Sequence, residues 1–218
     1  MLEFPHDVHT HTRYSDGMGE VSDIVAEAER RGLVLLGVSD HSHYILRGKF
    51  EAYIREIGRW REESDITILS GVEANIGSNG IDVPHWAASK LDYVIASVHE
   101  WVETPEEYLE LVKKAILDDD VDVIGHFGAN FPYVGFPSVG EIEEILELAE
   151  AHGKAFEISS SYRVPELAFI RECIRRGIKL TFASDAHSPR EVGAIRWSER
   201  IFKKAGGTKE DLLFGKFL

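Results

Sequence analysis

The chain has 218 residues, 44% of them hydrophobic and 28% charged, enough for one domain with a full core. Its net charge of −14 is the wrong sign for tracking a nucleic-acid backbone, and it has no run of 18 apolar residues to span a bilayer. No basic stretch followed by an apolar core marks a secretory signal, and the lone Cys173 cannot pair internally, so the expected compartment is the cytoplasm.

The first strand is expected at about residues 5–11, and it contains "DVHTH" (7–11). "VSDIVAEAERRG" follows with apolar residues at helical spacing and Gly32 placed as the C′ residue. Six further apolar runs read as strands: "LVLLGV" (33–38), "ITILSGVE" (66–73), "LDYVIASVH" (91–99), "VDVIGH" (121–126), "KAFEIS" (154–159) and "IKLTFAS" (178–184). They are near-continuous rather than alternating, the pattern of parallel strands buried on both faces. Between them lie helix starts. "TPEE" gives Thr104 as N-cap, Pro105 at N1 and Glu107 at N3, a capping box. "SVGE" (138–141) and "SPRE" (188–191) repeat that logic before the next helices, and "GGTKEDLL" caps a short final one. Seven βα units without linker or repeat predict an α/β fold, a (βα)7 barrel in one domain over 1–218. An open doubly wound sheet is the alternative, although the G-x-G-x-x-G fingerprint and the Walker A loop are both absent.

The polar residues of these strands fall at one end. His9 and His11 end strand one, and His41 follows strand two in "VSDHSH". Glu73, His99 and His126 end strands three, four and five, and Asp185 and His187 follow strand seven in "FASDAH". In a βα barrel the C-terminal strand ends converge on one face, so these metal-type ligands converge too. Residues i and i+2 of a strand share a face about 6–7 Å apart, which lets His9 and His11 lean onto one cation. Asp7, on that same face, is expected to orient a ligating imidazole rather than to ligate. His6 faces the other way, His85 and His152 lie in a loop and at a helix end, and His43 is placed at the mouth without a ligand role.

These residues resemble a known family. "DVHTH", "SDG" (15–17), "SDHS", "GVEAN", "VHE", "GH", "EIS" and "SDAH" occur in the order seen in the PHP superfamily, named for polymerase and histidinol phosphatase. The resemblance runs from about residue 7 to 190. It implies a distorted TIM-like barrel holding two or three divalent metals. It also implies ligand sets: His9, His11, Glu73 and Asp185 for one metal; Glu73, His99 and His126 for a second, with Glu73 shared; Asp16, His41 and His187 for a third. Zn, Mn or Fe suits such donors.

Clustered cations point to hydrolysis at phosphorus by an activated water, without a Ser or Cys nucleophile; no G-x-S-x-G motif is present. The expected activity is that of a metal-dependent phosphoesterase on a small phosphomonoester, histidinol-phosphatase-like, with Glu73 and Asp185 at the catalytic centre. Arg163 in "SSSYR" is the candidate phosphate clamp; Arg13, Arg190 and Arg47 are lesser ones. "GANFPYVGFP" (128–137) reads as a substrate-facing rim. Three rival readings differ in class. A PHP-type exonuclease or phosphodiesterase is disfavoured by the acidic charge. A non-catalytic scaffold would show missing ligands. An amidohydrolase needs a mid-chain lysine at a strand end, whereas Lys90 and Lys154 precede strands. Partners are expected to be a small phosphorylated substrate, with neither nucleic acid nor membrane; the oligomeric state is left open.

Overall fold

The structure is a computed structural model and describes residues 2–218. Its first half runs β1 (His6–Asp7), α1 (Val21–Arg31), β2 (Leu35–Val38), α2 (Ser42–Ile45), α3 (Phe50–Glu63), β3 (Thr67–Gly77), β4 (Gly80–Ile81), α4 (His85–Ala88) and β5 (Tyr93–Ser97). The second half runs α5 (Pro105–Ile116), β6 (Val123–Ile124), α6 (Phe131–Val134), α7 (Val139–His152), β7 (Ala155–Ser159), α8 (Leu167–Arg176), β8 (Leu180–Ala183) and α9 (Arg196–Ala205). The strands pair in the order β1-β2-β3-β5-β6-β7-β8, every one of these pairs parallel, while β4 folds back on the end of β3 as a short hairpin.

Backbone bonds then join the two outer strands. The Val8 N–H donates to Phe182 O (3.2 Å), and beyond it the His11 N–H donates to Ala186 O (2.8 Å) and the Ala186 N–H to His9 O (3.3 Å). Seven parallel strands thus make a nearly closed barrel, as the alternation of apolar runs and helices predicts; the open doubly wound sheet is excluded.

The interior is filled from below. Val8, Leu35, Leu69, Tyr93, Ile95, Val123 and Ala155 pack inside the barrel with Phe214, which enters from the C-terminal segment. Tyr93 reaches across the lumen, and its hydroxyl donates to Val8 O (2.6 Å). A Cβ at Gly37 or Gly71 would sit 2.1 or 2.3 Å from the Tyr93 side chain, so these two strand glycines make the room it occupies. The larger core lies between strands and helices. Helix α1 shows why: Val21, Ile24, Val25 and Ala28 form its buried stripe. Gly32 closes it in the left-handed region (φ 73), as expected of a C′ glycine. Among the described residues no helix is long and apolar enough to cross a membrane.

Two local expectations need correction. Thr104 caps α5 by accepting from the Glu107 N–H (3.2 Å), but the Glu107 carboxylate returns to the Glu103 N–H (2.9 Å), one residue before the cap. "SPRE" does form a capping box, but on a single 3-10 turn, Pro189–Glu191; the left-handed Gly193 (φ 74) ends it, and the long helix α9 starts only at Arg196.

Candidate metal centre

Glu73 is the hub of the C-terminal face. It lies within β3, which runs on to Gly77 rather than ending at this residue as expected; it is 1% exposed, and its two oxygens divide the surrounding imidazoles. Oε1 is 3.2 Å from His99 Nε2 and 3.2 Å from His126 Nε2. Oε2 is 2.9 Å from His41 Nδ1, 3.4 Å from His9 Nε2 and 3.6 Å from His11 Nε2. Asp185 closes one side, its Oδ1 3.1 Å from His11 Nε2 and 3.6 Å from His9 Nε2. Asp16 stands at the outer edge, with Oδ2 3.5 Å from both His41 Nε2 and His187 Nε2, and Oδ1 3.8 Å from His11 Nδ1. All nine predicted ligands therefore meet on one face.

The donor atoms of seven of them fall into overlapping groups, with His126 and Asp185 outside these: His9, His11 and Glu73; His41, Glu73 and His99; His11, Asp16, His41 and His187. His11 and His41 each face two groups, so the boundaries between the expected ligand sets are shared in the structure.

The sequence around each ligand explains its placement. Asp16 sits on the Thr12–Gly17 turn, which the buried Asp40 holds from within: its carboxylate accepts from the Thr12 N–H (2.8 Å), the Thr12 hydroxyl (2.7 Å) and the Ser15 N–H (3.0 Å). A side chain at Gly17 would come within 2.4 Å of His11 O, so the "SDG" glycine lets this turn lie flat on β1. His126 (φ 24) and Asp185 (φ 55) both hold positive φ without being glycine, a strained geometry that clusters at functional sites.

Electrostatics bind the cluster together. Burial alone would push the His9 imidazole down, but the carboxylates of Glu157, Glu73 and Asp185 outweigh it and hold His9 well above its usual range. Burial would raise Glu73; the imidazoles of His9, His126 and His41 instead hold it well below the ordinary carboxylate range. His41 and His126 are likewise raised, against burial, chiefly by Glu73. His11 goes the other way, lowered mainly by its burial.

The donor set fits metal ions. His9 Nε2 and His11 Nδ1 are buried and have no hydrogen-bond partner. They face carboxylate oxygens across 3.4–3.8 Å, too far for a hydrogen bond. Buried polar atoms without a partner, converging on carboxylates at this spacing, are a donor set that a cation would satisfy.

Two cavities flank the cluster. One, of about 480 Å³, is lined by Asp16, His41, His43, Tyr44, Asn75, Asp82, His99 and Glu100. The other, of about 340 Å³, is lined by Ser160, Ser161, Tyr162, Ser184, Asp185, His187, Glu191 and Ala194.

The PHP domain model matches residues 7–161 of this chain, well over half of its length. The chain belongs to the PHP family. Two curated relatives, both named probable phosphatases, align along nearly all of this PHP protein. The one from Acetivibrio thermocellus is 30% identical over 220 residues, covering 93% of this chain and 86% of the relative. The one from Caldanaerobacter subterraneus subsp. tengcongensis is 34% identical over 217 residues, covering 89% and 82%. Among solved structures, a Lactococcus lactis histidinol phosphate phosphatase, complexed with zinc, L-histidinol and phosphate, shares the fold at a TM-score of 0.71 and 21% identity, covering 94% of this chain and 95% of that one. The PHP protein is a hydrolase of phosphoric esters, of the metal-dependent phosphoesterase type.

The structure also shows what the PHP motifs alone did not. Asp7 has no hydrogen bond to an imidazole among the described residues. Its carboxylate accepts from the Ser184 N–H (2.9 Å), the Ser184 hydroxyl (2.6 Å) and the Gly193 N–H (2.7 Å), so it anchors the turn that carries Asp185. The partner of a histidine is Glu157 instead: fully buried on β7, it accepts from His9 Nδ1 at 2.6 Å. It is the glutamate of "EIS", and its place between Phe156 and Ile158 on a buried strand is the signal that could have given it this role. Tyr162 also belongs here, its ring 4.9 Å from that of His126. Its neighbour Arg163 holds a left-handed backbone (φ 59) and an exposed side chain, with no ion pair or hydrogen bond to another described residue. Arg13 is held by Met18 O (3.1 Å) and Glu20 (3.0 Å), away from the cluster. His43 lines the larger cavity. In the expected rim, Tyr133 and Phe136 are exposed.

Proposed function

We propose that this chain hydrolyses a small phosphomonoester, in the manner of a histidinol phosphatase, at a site built for two or three divalent cations. The observation that carries this reading is the division of Glu73: Oε1 serves His99 and His126, and Oε2 serves His9, His11 and His41. A carboxylate so placed would contribute to holding cations on both sides of it and would supply negative charge between the two imidazole sets. In this reading His9, His11, Glu73 and Asp185 hold the first, Glu73, His99 and His126 the second, and Asp16, His41 and His187 the third, with zinc, manganese or iron suited to the donors. Bound cations would supply positive charge for the phosphoryl oxygens and lower the pKa of a water.

The protein's own groups do the rest. Glu73 and Asp185 keep the anionic charge of the centre in place. Two hydroxyl or thiol groups are set aside from the chemistry: Cys173 is buried on the core face of α8 and its thiol is pushed up by burial, and the Ser184 hydroxyl is committed to Asp7. Arg163 is the candidate clamp on phosphate. The larger cavity has the volume of a small-ligand site. It places Asp82 and Glu100 beyond the cluster with no Lys or Arg in its lining, which suits a leaving group carrying a cation. Asp185 and His187 lie beyond the segment matched by the family model, so residues 1–218 act as one domain in this reading. A free buried thiol accords with a cytoplasmic setting.

The test is a panel assay with added Zn, Mn or Fe: histidinol phosphate, other phosphomonoesters, and bis-p-nitrophenyl phosphate as the diester. Hydrolysis of monoesters in preference to the diester is expected. A preference for the diester, or no hydrolysis with any metal, would overturn the proposal.

A further inference from the structure

Glu157 is fully buried on β7, inside the barrel and beneath the cluster, and belongs to none of the groups of metal-type donors. Both of its oxygens are committed. Oε2 lies 2.6 Å from His9 Nδ1, and Oε1 accepts from the backbone N–H of His126 at 3.3 Å. An ionised carboxylate only accepts, so the proton of that short bond sits on His9 Nδ1. With Nδ1 committed to Glu157, the ring nitrogen that can be offered to a cation is Nε2, which faces Glu73 and Asp185 and has no hydrogen-bond partner among the described residues. The second bond holds the backbone of His126 at the residue whose φ is 24, a conformation that persists only where surrounding contacts impose it. One side chain therefore fixes two candidate ligands on different strands.

We propose that Glu157 is a positioning residue that locks His9 in its Nδ1-protonated tautomer, and so sets the affinity of the cluster for metal, without ligating a cation itself. Carboxylates behind ligating imidazoles raise ligand basicity and fix ring orientation, and their loss weakens metal binding ~10- to 100-fold. The inference rests on the reading of the cluster as a metal centre.

The experiment compares the metal-stripped full chain with Glu157→Gln and Glu157→Leu, titrating Zn²⁺ against a chromophoric chelator and recording imidazole ¹⁵N spectra. Glu157→Leu is expected to bind the same number of ions at saturation, with the tightest affinity ~10- to 100-fold weaker. Its His9 resonances should report a mixture of tautomers, which a merely structural role would not produce. Glu157→Gln keeps an acceptor for Nδ1 and should lose less affinity while retaining the tautomer. Unchanged affinity in Glu157→Leu overturns the proposal. Fewer ions at saturation overturns it differently, by making Glu157 a ligand. Should circular dichroism show Glu157→Leu unfolded, the isosteric Gln variant decides: a loss of roughly threefold or more supports the proposal and unchanged affinity refutes it. A wild-type chain that takes up no zinc would remove the metal-centre reading itself; a wild type that binds normally beside an unaffected Leu variant would remove only this inference.

Discussion

Replacing Glu73 by Gln keeps the shape of the hub and removes its charge. Oε1 faces two imidazoles at 3.2 Å, and Oε2 faces three at 2.9–3.6 Å. The amide must turn its NH2 toward one of these sets, where it places donors beside nitrogen atoms that also need to face a cation. Two unit charges 4 Å apart interact by ~4 kcal/mol at an effective dielectric of ~20. Two divalent ions held by these neighbouring sets would repel roughly four times as strongly at that spacing, and the Glu73 charge would offset part of it. The expected result is loss of at least one metal ion per chain and a fall in phosphomonoester turnover of at least ~100-fold, or about 2.7 kcal/mol of barrier. The fold should persist, because the barrel floor and the helix contacts are untouched. Metal analysis, circular dichroism and a phosphatase assay on one preparation decide the matter. A Glu73→Gln protein with full metal content and near-normal turnover refutes the shared-carboxylate geometry.

Burial lowers the His6 imidazole from its ordinary 6.5 to about 4. The unfolded chain therefore binds the extra proton first, and stability is lost as pH falls from about 6.5 toward 4, by roughly 3 kcal/mol; denaturant titrations should show His6→Gln with a shallower loss over that window than wild type. Arg163→Ala should lower kcat/KM for the best phosphomonoester with metal content unchanged, and an unaltered kcat/KM would leave Arg163 a surface residue. Phe214→Ala, which empties the barrel floor where its ring meets Tyr93 edge-on at 5.5 Å, should cost about 3–5 kcal/mol of stability in denaturant titrations, with no change in metal content because the cluster lies at the opposite mouth.

The barrel was legible because buried parallel strands write themselves as apolar runs. The cluster was legible because His, Asp and Glu at the end of such runs have no bland explanation when they recur strand after strand. What escaped was decided by long-range closure. The partner of Asp7 depends on β1 meeting β8, which places the Ser184 and Gly193 N–H groups beside it. Local alternation shows only which face Asp7 occupies. Glu157 was hidden for a related reason: it reaches His9 across 148 residues of chain. The extension of β3 to Gly77 and its hairpin with β4 follow from the turn residues Ser78 and Asn79, a signal weaker than the apolar run before it. Tyr162, beside the expected Arg163, is brought to the centre by a backbone that turns left-handed only at the next residue.

The most direct test of the account is elemental analysis of the purified chain after gentle desalting, with and without prior incubation in Zn²⁺ or Mn²⁺. Two or three divalent transition-metal ions per chain are expected, released as pH falls below about 6, where imidazoles take up protons in their place. A chain that carries no metal and takes none up, or that keeps its full complement at pH 4, would contradict it.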